Sequence, residues 1–153
     1  MSQDPEKSLD LEHFLPYRLS VLANRVSRGF GRLYERRFDL KLPEWRVIAV
    51  LGRHPGITAS DVTERTAMDK VAISRALARL QEMGRVTTQE DEADRRRQIL
   101  SLSEEGWSIY RQIVPLAKSI EAELLADFST EDRALLDRLL DSLTSAAEKI
   151  DRA

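Results

Sequence analysis

The sequence predicts a mainly α-helical fold carrying one small β-hairpin. Apolar residues recur every three or four positions over most of the chain. Charged residues reach 33% while aromatics stay at 6%, a balance that favours helices over a sandwich or barrel. Only residues 85–102 combine β-forming side chains with period-two alternation. With 153 residues and a 42% hydrophobic fraction, the chain is sized for a single domain spanning residues 1–153.

Each element follows from its own residues. Over residues 15–38, Leu15, Leu19, Leu22, Val26, Phe30, Leu33 and Phe38 form one helical stripe. Pro16 suits the first turn, where its missing N–H costs nothing, so residues 9–14 form a separate entry segment. Gly29 and Gly31 weaken this helix by about 1 kcal/mol each relative to alanine. Close helix packing is the expected compensation, ahead of a widened ligand cleft. Pro43 opens a second helix through Trp45, Val47, Ile48 and Leu51, and the run GRHPG from Gly52 to Gly56 ends it. Thr58 and Asp61 make a capping box that starts a third, short helix. Asp69 caps a fourth, DKVAISRALARLQEMG, whose Ile73, Leu77 and Leu80 share a face and whose end is marked by Gly84.

The segments RVTTQE (85–90) and QILSL (98–102) read as two strands, joined by the loop 91–97. Ser103, followed by Glu104 and Glu105, supplies an N-cap and acids at the positive end of the next helix dipole. That fifth helix is expected to run to about residue 127, kinked at Pro115. Ser129 and Asp132 cap a sixth amphipathic helix.

Composition removes several classes of function. The absence of cysteine excludes disulfides, thiolate metal sites and thiol redox chemistry. His13 and His54 lie in different elements without metal-ligand spacing, so neither a metal nor a cofactor is expected. The chain has no Gly-x-Ser-x-Gly elbow, phosphate loop or His-Glu-x-x-His motif, and no enzyme is expected. The opening MSQDPEKSLDLEHF lacks a basic flank and an apolar run, and no 18 apolar residues are consecutive. The expectation is a cytoplasmic protein with no membrane partner.

Charge is distributed unevenly about its net of −2. Residues 16–38 carry +5, residues 70–97 carry +2 and residues 98–153 carry −5. The basic segments coincide with a recognisable order: helix, short helix, longer helix, hairpin. This is the order of a winged helix-turn-helix, here a lobe at about residues 42–102, whose longer helix enters a DNA major groove. With Ile73, Leu77 and Leu80 turned inward, Lys70, Val71, Ala72, Ser74, Arg75, Ala78 and Arg79 lie on the other side or its flanks. Lysine and arginine suit phosphates or guanine, serine a phosphate, and valine or alanine a thymine methyl. In the run DEADRRRQILSLSEEG, Arg95, Arg96 and Arg97 reach the hairpin tip, where a narrow minor groove attracts a guanidinium. Asp94 stands two residues before Arg96 and can brace either its guanidinium or the loop backbone.

The same run resembles the wing signature of the MarR (multiple antibiotic resistance regulator) family, an Asp-x-Arg pair before an alternating strand and a Leu-Thr-x-x-Gly helix start. Here the pair is Asp94 and Arg96, and Ser103 stands for the usual threonine. DKVAISRALARLQEMGRV is similar to that family's recognition helix, and LKLPEWRVIAVLGRHPGITASDV to the two helices before it. The resemblance covers roughly residues 15–150. It implies a homodimeric, ligand-responsive regulator, repressing from a pseudo-palindromic operator, whose terminal helices, about residues 9–38 and 104–151, interlock. It places Arg96 in the minor groove, Arg95 and Arg97 near phosphates, and Lys70, Val71, Ala72, Ser74 and Arg75 at the major groove. It further implies a small aromatic or acidic effector, for which Phe14, Tyr17, Arg18, Phe30, Trp45 and Arg46 are candidate ligands. The dimer has independent support, because apolar stripes outside the lobe need a partner to cover them. The competing function is a helical dimer that binds a protein through its acidic C-terminal face, without DNA.

Overall fold

The computed structural model describes residues 9–152 and shows six helices and one hairpin in the order read from the sequence. The reading of the chain's opening falls largely on residues 1–8, outside the described residues. Residues 9–14 form a turn, with the His13 N–H donating to the Asp10 carbonyl over 3.3 Å. Helix α1 (Leu15–Phe38) follows with Pro16 in its first turn and ends at Asp39, which adopts a left-handed φ of 52°. Helix α2 (Leu42–Arg53) starts one residue before Pro43, because the Glu44 carboxylate reaches back to accept the Lys41 N–H over 2.7 Å.

Helix α3 (Ala59–Thr66) is opened by the reciprocal pair Thr58 and Asp61, and α4 (Lys70–Glu82) by the Asp69 carboxylate accepting the Ala72 N–H over 2.9 Å. Gly84, at φ +69°, turns the chain out of α4. Strands β1 (Val86–Glu90) and β2 (Gln98–Leu102) pair antiparallel, Val86 opposite Leu102 and Glu90 opposite Gln98. Ile57 adds a bridge to Leu100 on the far side of β2, a pairing that the GRHPG turn does not announce in sequence. Helix α5 (Glu104–Leu124) passes Pro115 without interruption and stops three residues before the expected end, in a turn at 125–127. Helix α6 is Thr130–Asp151.

The chain divides into two compact units, one up to Gln112 and the other from Ile113. The first holds a core of Tyr34, Leu40, Val47, Ile48, Leu51, Val62, Ile73, Leu77, Leu80, Val86, Leu100 and Leu102. Each such side chain contributes roughly 1.5–3 kcal/mol by leaving water. In the second, the turn between α5 and α6 is tied by the Arg133 guanidinium donating to the Leu125 carbonyl over 2.7 Å. No residue of α6 is buried, and Leu135, Leu139, Leu140 and Ile150 are all exposed. Among the described residues of one chain no close packing accounts for the two α1 glycines: a Cβ at Gly29 or Gly31 would meet nothing within 4 Å.

Candidate nucleic-acid interface

Helix α4 buries Ile73, Ala76, Leu77 and Leu80, which anchors it along one side. Lys70, Val71, Ser74, Arg75 and Ala78 are exposed on the other, and Ala72 is half-buried. Val71 is an apolar side chain left 59% exposed. The sequence's assignment of faces therefore matches the packing, with Ala76 added to the inner side.

The wing loop is ordered by its own acids. The Asp91 N–H donates to the Arg97 carbonyl over 3.0 Å and the Arg97 N–H to the Asp94 carbonyl over 2.9 Å, closing the loop at its base. The Asp94 carboxylate accepts the Arg96 N–H over 3.1 Å, so of the two tasks open to it in sequence it performs the backbone one. Asp91 repeats the device on Ala93 over 2.9 Å and lies 3.9 Å from the Arg97 guanidinium. Arg95, Arg96 and Arg97 are exposed, and among the described residues neither Arg95 nor Arg96 forms an ion pair. The bracing role of Asp91 was missed in sequence, although its offset from Ala93 repeats that of Asp94 from Arg96.

Arg79 differs from its neighbours on α4. Its guanidinium bonds the Asp39 carboxylate over 3.0 Å and the nearly buried Glu44 carboxylate, and the Asp39 bond, foremost, holds its pKa above the ordinary arginine value. Arg85, just past α4, donates to the Phe38 carbonyl over 2.7 Å. The end of α1 and the start of α2 are thus strapped to α4 by two arginines. Arg79 has its donors committed to carboxylates, whereas among the described residues Lys70 and Arg75 form no ion pair.

Of the six candidate effector ligands, three converge. Phe30 stacks on Trp45 at 5.9 Å and 14°, and the Arg46 guanidinium lies 6.0 Å from the Trp45 ring. Phe14, Tyr17 and Arg18 are exposed at the entry to α1, and Arg18 lies about 18 Å along the helix axis from Phe30. Tyr34, absent from the candidates, completes the cluster, 5.2 Å from the Trp45 ring and 5.8 Å from Phe30. Its hydroxyl and the Trp45 indole N–H are buried without a hydrogen-bond partner among the described residues. Burial pushes the Tyr34 pKa up, so the hydroxyl stays a neutral donor. Its spacing of four from Phe30 was the available signal. Among the described residues no group of acids and histidines is arranged to hold a metal ion.

Residues 38–97 match the family model described as the MarR family. Over 108 residues the chain is 30% identical to the transcriptional regulator HosA of Escherichia coli O111:H-, covering 71% of this chain and 80% of that protein. The chain belongs to the MarR family. A MarR/EmrR-family regulator from Acinetobacter sp. ADP1 shares the fold with a TM-score of 0.86 at 23% identity, over 92% of this chain and 99% of that one. Streptococcus pneumoniae FabT, solved in complex with DNA, superposes with a TM-score of 0.73 at 25% identity, over 92% and 99% of the two chains. As a MarR-family transcription regulator the protein is a DNA-binding molecule and not an enzyme, which sets aside the reading without DNA.

The MarR helix start at the end of β2 also receives its physical reason. The Ser103 hydroxyl accepts the Gly106 N–H over 3.1 Å and donates to the Gly84 carbonyl over 2.6 Å, so serine performs the capping task of threonine. A Cβ at Gly106 would stand 2.1 Å from the Arg85 carbonyl oxygen. Glycine is there because the backbone leaving α4 lies against it.

Proposed function

We propose that the chain acts as a homodimer on a pseudo-palindromic operator, with α4 in the major groove of each half-site and Arg96 of each wing in a flanking minor groove. The observation that carries this reading is the pairing, on one rigid lobe, of an anchored helix whose free cations point outward with a braced loop tip bearing unpaired arginines. Lys70, Ser74 and Arg75 serve phosphates or base edges, Val71 and Ala72 apolar base contacts, and Arg95 and Arg97 phosphates. Asp94 is a positioning residue for Arg96, and Arg79 acts through Glu44 and Asp39 rather than on DNA.

Association of two copies is supported by the exposed apolar side chains of both terminal regions, Leu15, Leu19 and Leu22 on α1 and Leu135, Leu139 and Leu140 on α6. Occupying an operator blocks access to it, so repression is the expected output, exerted in the cytoplasm. The effector is a small aromatic or acidic molecule at the Phe30, Tyr34, Trp45 and Arg46 cluster. There the two unpartnered donors and the guanidinium suit an oxygen-bearing anion, and the rings suit an aromatic body. It acts by favouring a dimer geometry whose α4 spacing mismatches the operator.

Selection of bound duplexes from a random pool tests the arrangement. Recovered sites are expected to contain inverted half-sites about one helical turn, ~34 Å, apart. On such a duplex Arg96→Ala is expected to weaken binding about 5–150-fold while the sedimentation coefficient stays that of the parent. Unchanged affinity rejects the wing assignment.

A further inference from the structure

Two grooves in the first unit share one lysine. One, of about 570 Å³, runs along α1 to the start of α2 and is lined by Asn24, Ser27, Arg28, Arg32 and Lys41, with Glu35 as its one acid. The other, of about 310 Å³, lies between the start of α2 and α4 and is lined by Lys41, Arg75 and Arg79, with Glu44 as its one acid. Glu44 is taken up by Arg79. Arg28, Arg32, Lys41 and Arg75 are exposed, and among the described residues none of them forms an ion pair. Free cations therefore continue off the recognition helix, over the first turn of α2 and onto α1.

We propose that this continuation is a phosphate track: the DNA-binding surface extends from Arg75 through Lys41 to Arg28 and Arg32, gripping the duplex backbone irrespective of base sequence. The proposal rests on the reading above that α4 meets DNA. Continuity with the α4 face favours a duplex over a small anion, because a single polyanion is the ligand that meets all four cations together. Spacing agrees. Arg28 and Arg32 are four residues apart, about 6 Å along the helix, and the phosphates of one strand follow at about 3.4 Å along the duplex axis. Each step along α1 thus spans about two phosphates. The small Ser27 and Gly31 side of the groove, where a Cβ at Gly31 would meet nothing within 4 Å, leaves room for a backbone to approach.

A mixed-sequence 30-base-pair duplex tests the proposal without knowledge of the operator. Fluorescence anisotropy of the full-length chain across a salt series gives the slope of log K against log [NaCl]. This slope scales as about 0.9 per phosphate neutralised. The triple variant Arg28→Gln, Arg32→Gln, Lys41→Gln is expected to lower the slope by about 2.7 for each protomer engaged, and Arg28→Gln alone by about 0.9. Arg138→Gln with Lys149→Gln on α6 removes charge elsewhere and is expected to leave the slope unchanged. A parental slope in the triple variant overturns the proposal, as does an equal loss in the α6 variant or a change in oligomeric state in the triple variant. Thermal stabilisation of the parent by inorganic phosphate or benzoate, lost in the triple variant while the duplex slope holds, also overturns it and makes the groove a small-anion site. Replacing Arg95, Arg96 and Arg97 with glutamine separates the two claims. A slope that falls in this wing variant but not in the triple variant rejects the track and leaves the DNA reading standing. A parent that does not bind duplex rejects both.

Discussion

Replacing Arg79 with methionine tests the strap between α1, α2 and α4 and separates a structural role from contact with DNA. Methionine keeps the aliphatic stem and removes the guanidinium, leaving the Glu44 carboxylate, 4% exposed, with only the Lys41 N–H as partner. Breaking a buried pair by deleting one member costs about 3–5 kcal/mol. The Arg79 side chain is 30% exposed and the Asp39 side chain 71%, so water moderates the loss and the Asp39 bond adds little. About 2–3 kcal/mol is expected from these terms, which corresponds to a fall in Tm of roughly 5–10 °C for a chain of this size. Thermal and urea denaturation at one fixed protein concentration read it out. Glu44→Gln retains an amide oxygen for the Lys41 N–H, and in the Arg79→Met background it relieves the stranded charge. The double variant is therefore expected to be more stable than Arg79→Met alone. A loss below about 0.5 kcal/mol in Arg79→Met, the range of an ordinary surface substitution, would refute the strap. Where the variant remains folded, its salt slope on a duplex is expected to equal the parent's; a drop of about 0.9 would return Arg79 to the phosphates.

Other substitutions probe single features. Gly106→Ala places a methyl group 2.1 Å from the Arg85 carbonyl oxygen, a backbone atom that cannot swing aside, and about 1–3 kcal/mol of stability is expected to be lost in urea titrations. Gly29→Ala meets open space inside a helix and should gain about 1 kcal/mol in the same assay. The Asp61 pKa is lowered chiefly by its side-chain bond to Thr58, and that of Asp132 by its bond to Ser129. A depressed carboxylate stabilises the fold above its unfolded pKa of about 3.9. That contribution is lost as pH falls through the lower folded value. Asp61→Asn with Asp132→Asn should accordingly flatten the acid limb of stability against pH below about 4, and an unchanged limb would discount the caps. Leu139 and Leu140, 52% and 47% exposed, are expected to lie in the dimer contact. Leu139→Glu should yield a monomer by sedimentation, and a persisting dimer would move the contact elsewhere.

What could be read from the sequence was local. The capping boxes at Thr58 and Ser129, the Asp69 cap and the inner face of α4 depend on residues close to each other along the chain and all reappear in the structure, while the hairpin returns with its first strand beginning at Val86, one residue later than read. The strap was illegible, because Arg79 meets Glu44 across 35 positions and Arg85 meets Phe38 across 47, and neither pair leaves a period in the chain. Arg79 looked like its neighbours on the α4 face until a carboxylate from another helix was seen to claim it. Tyr34 lies outside the apolar stripe read along α1, and only the packing shows it buried beside Phe30 and Trp45 with its hydroxyl unpartnered among the described residues. Helix α5 continues through Pro115, so the ring's missing hydrogen bond does not end the helix.

The composition of the wing loop has a kinetic consequence. Residues 91–97 hold three acids and three arginines, so beyond a Debye length of about 8 Å the tip is electrically silent. If α1 and α4 meet DNA as proposed above, capture from a distance falls to the cations of α1 together with Lys70 and Arg75, and the encounter rate should be sensitive to ionic strength through them. On the same reading Arg96 acts only at short range, so Arg96→Ala is expected to raise the dissociation rate more than it lowers the association rate. Arrival and residence would then rest on different parts of one chain, each open to change without disturbing the other.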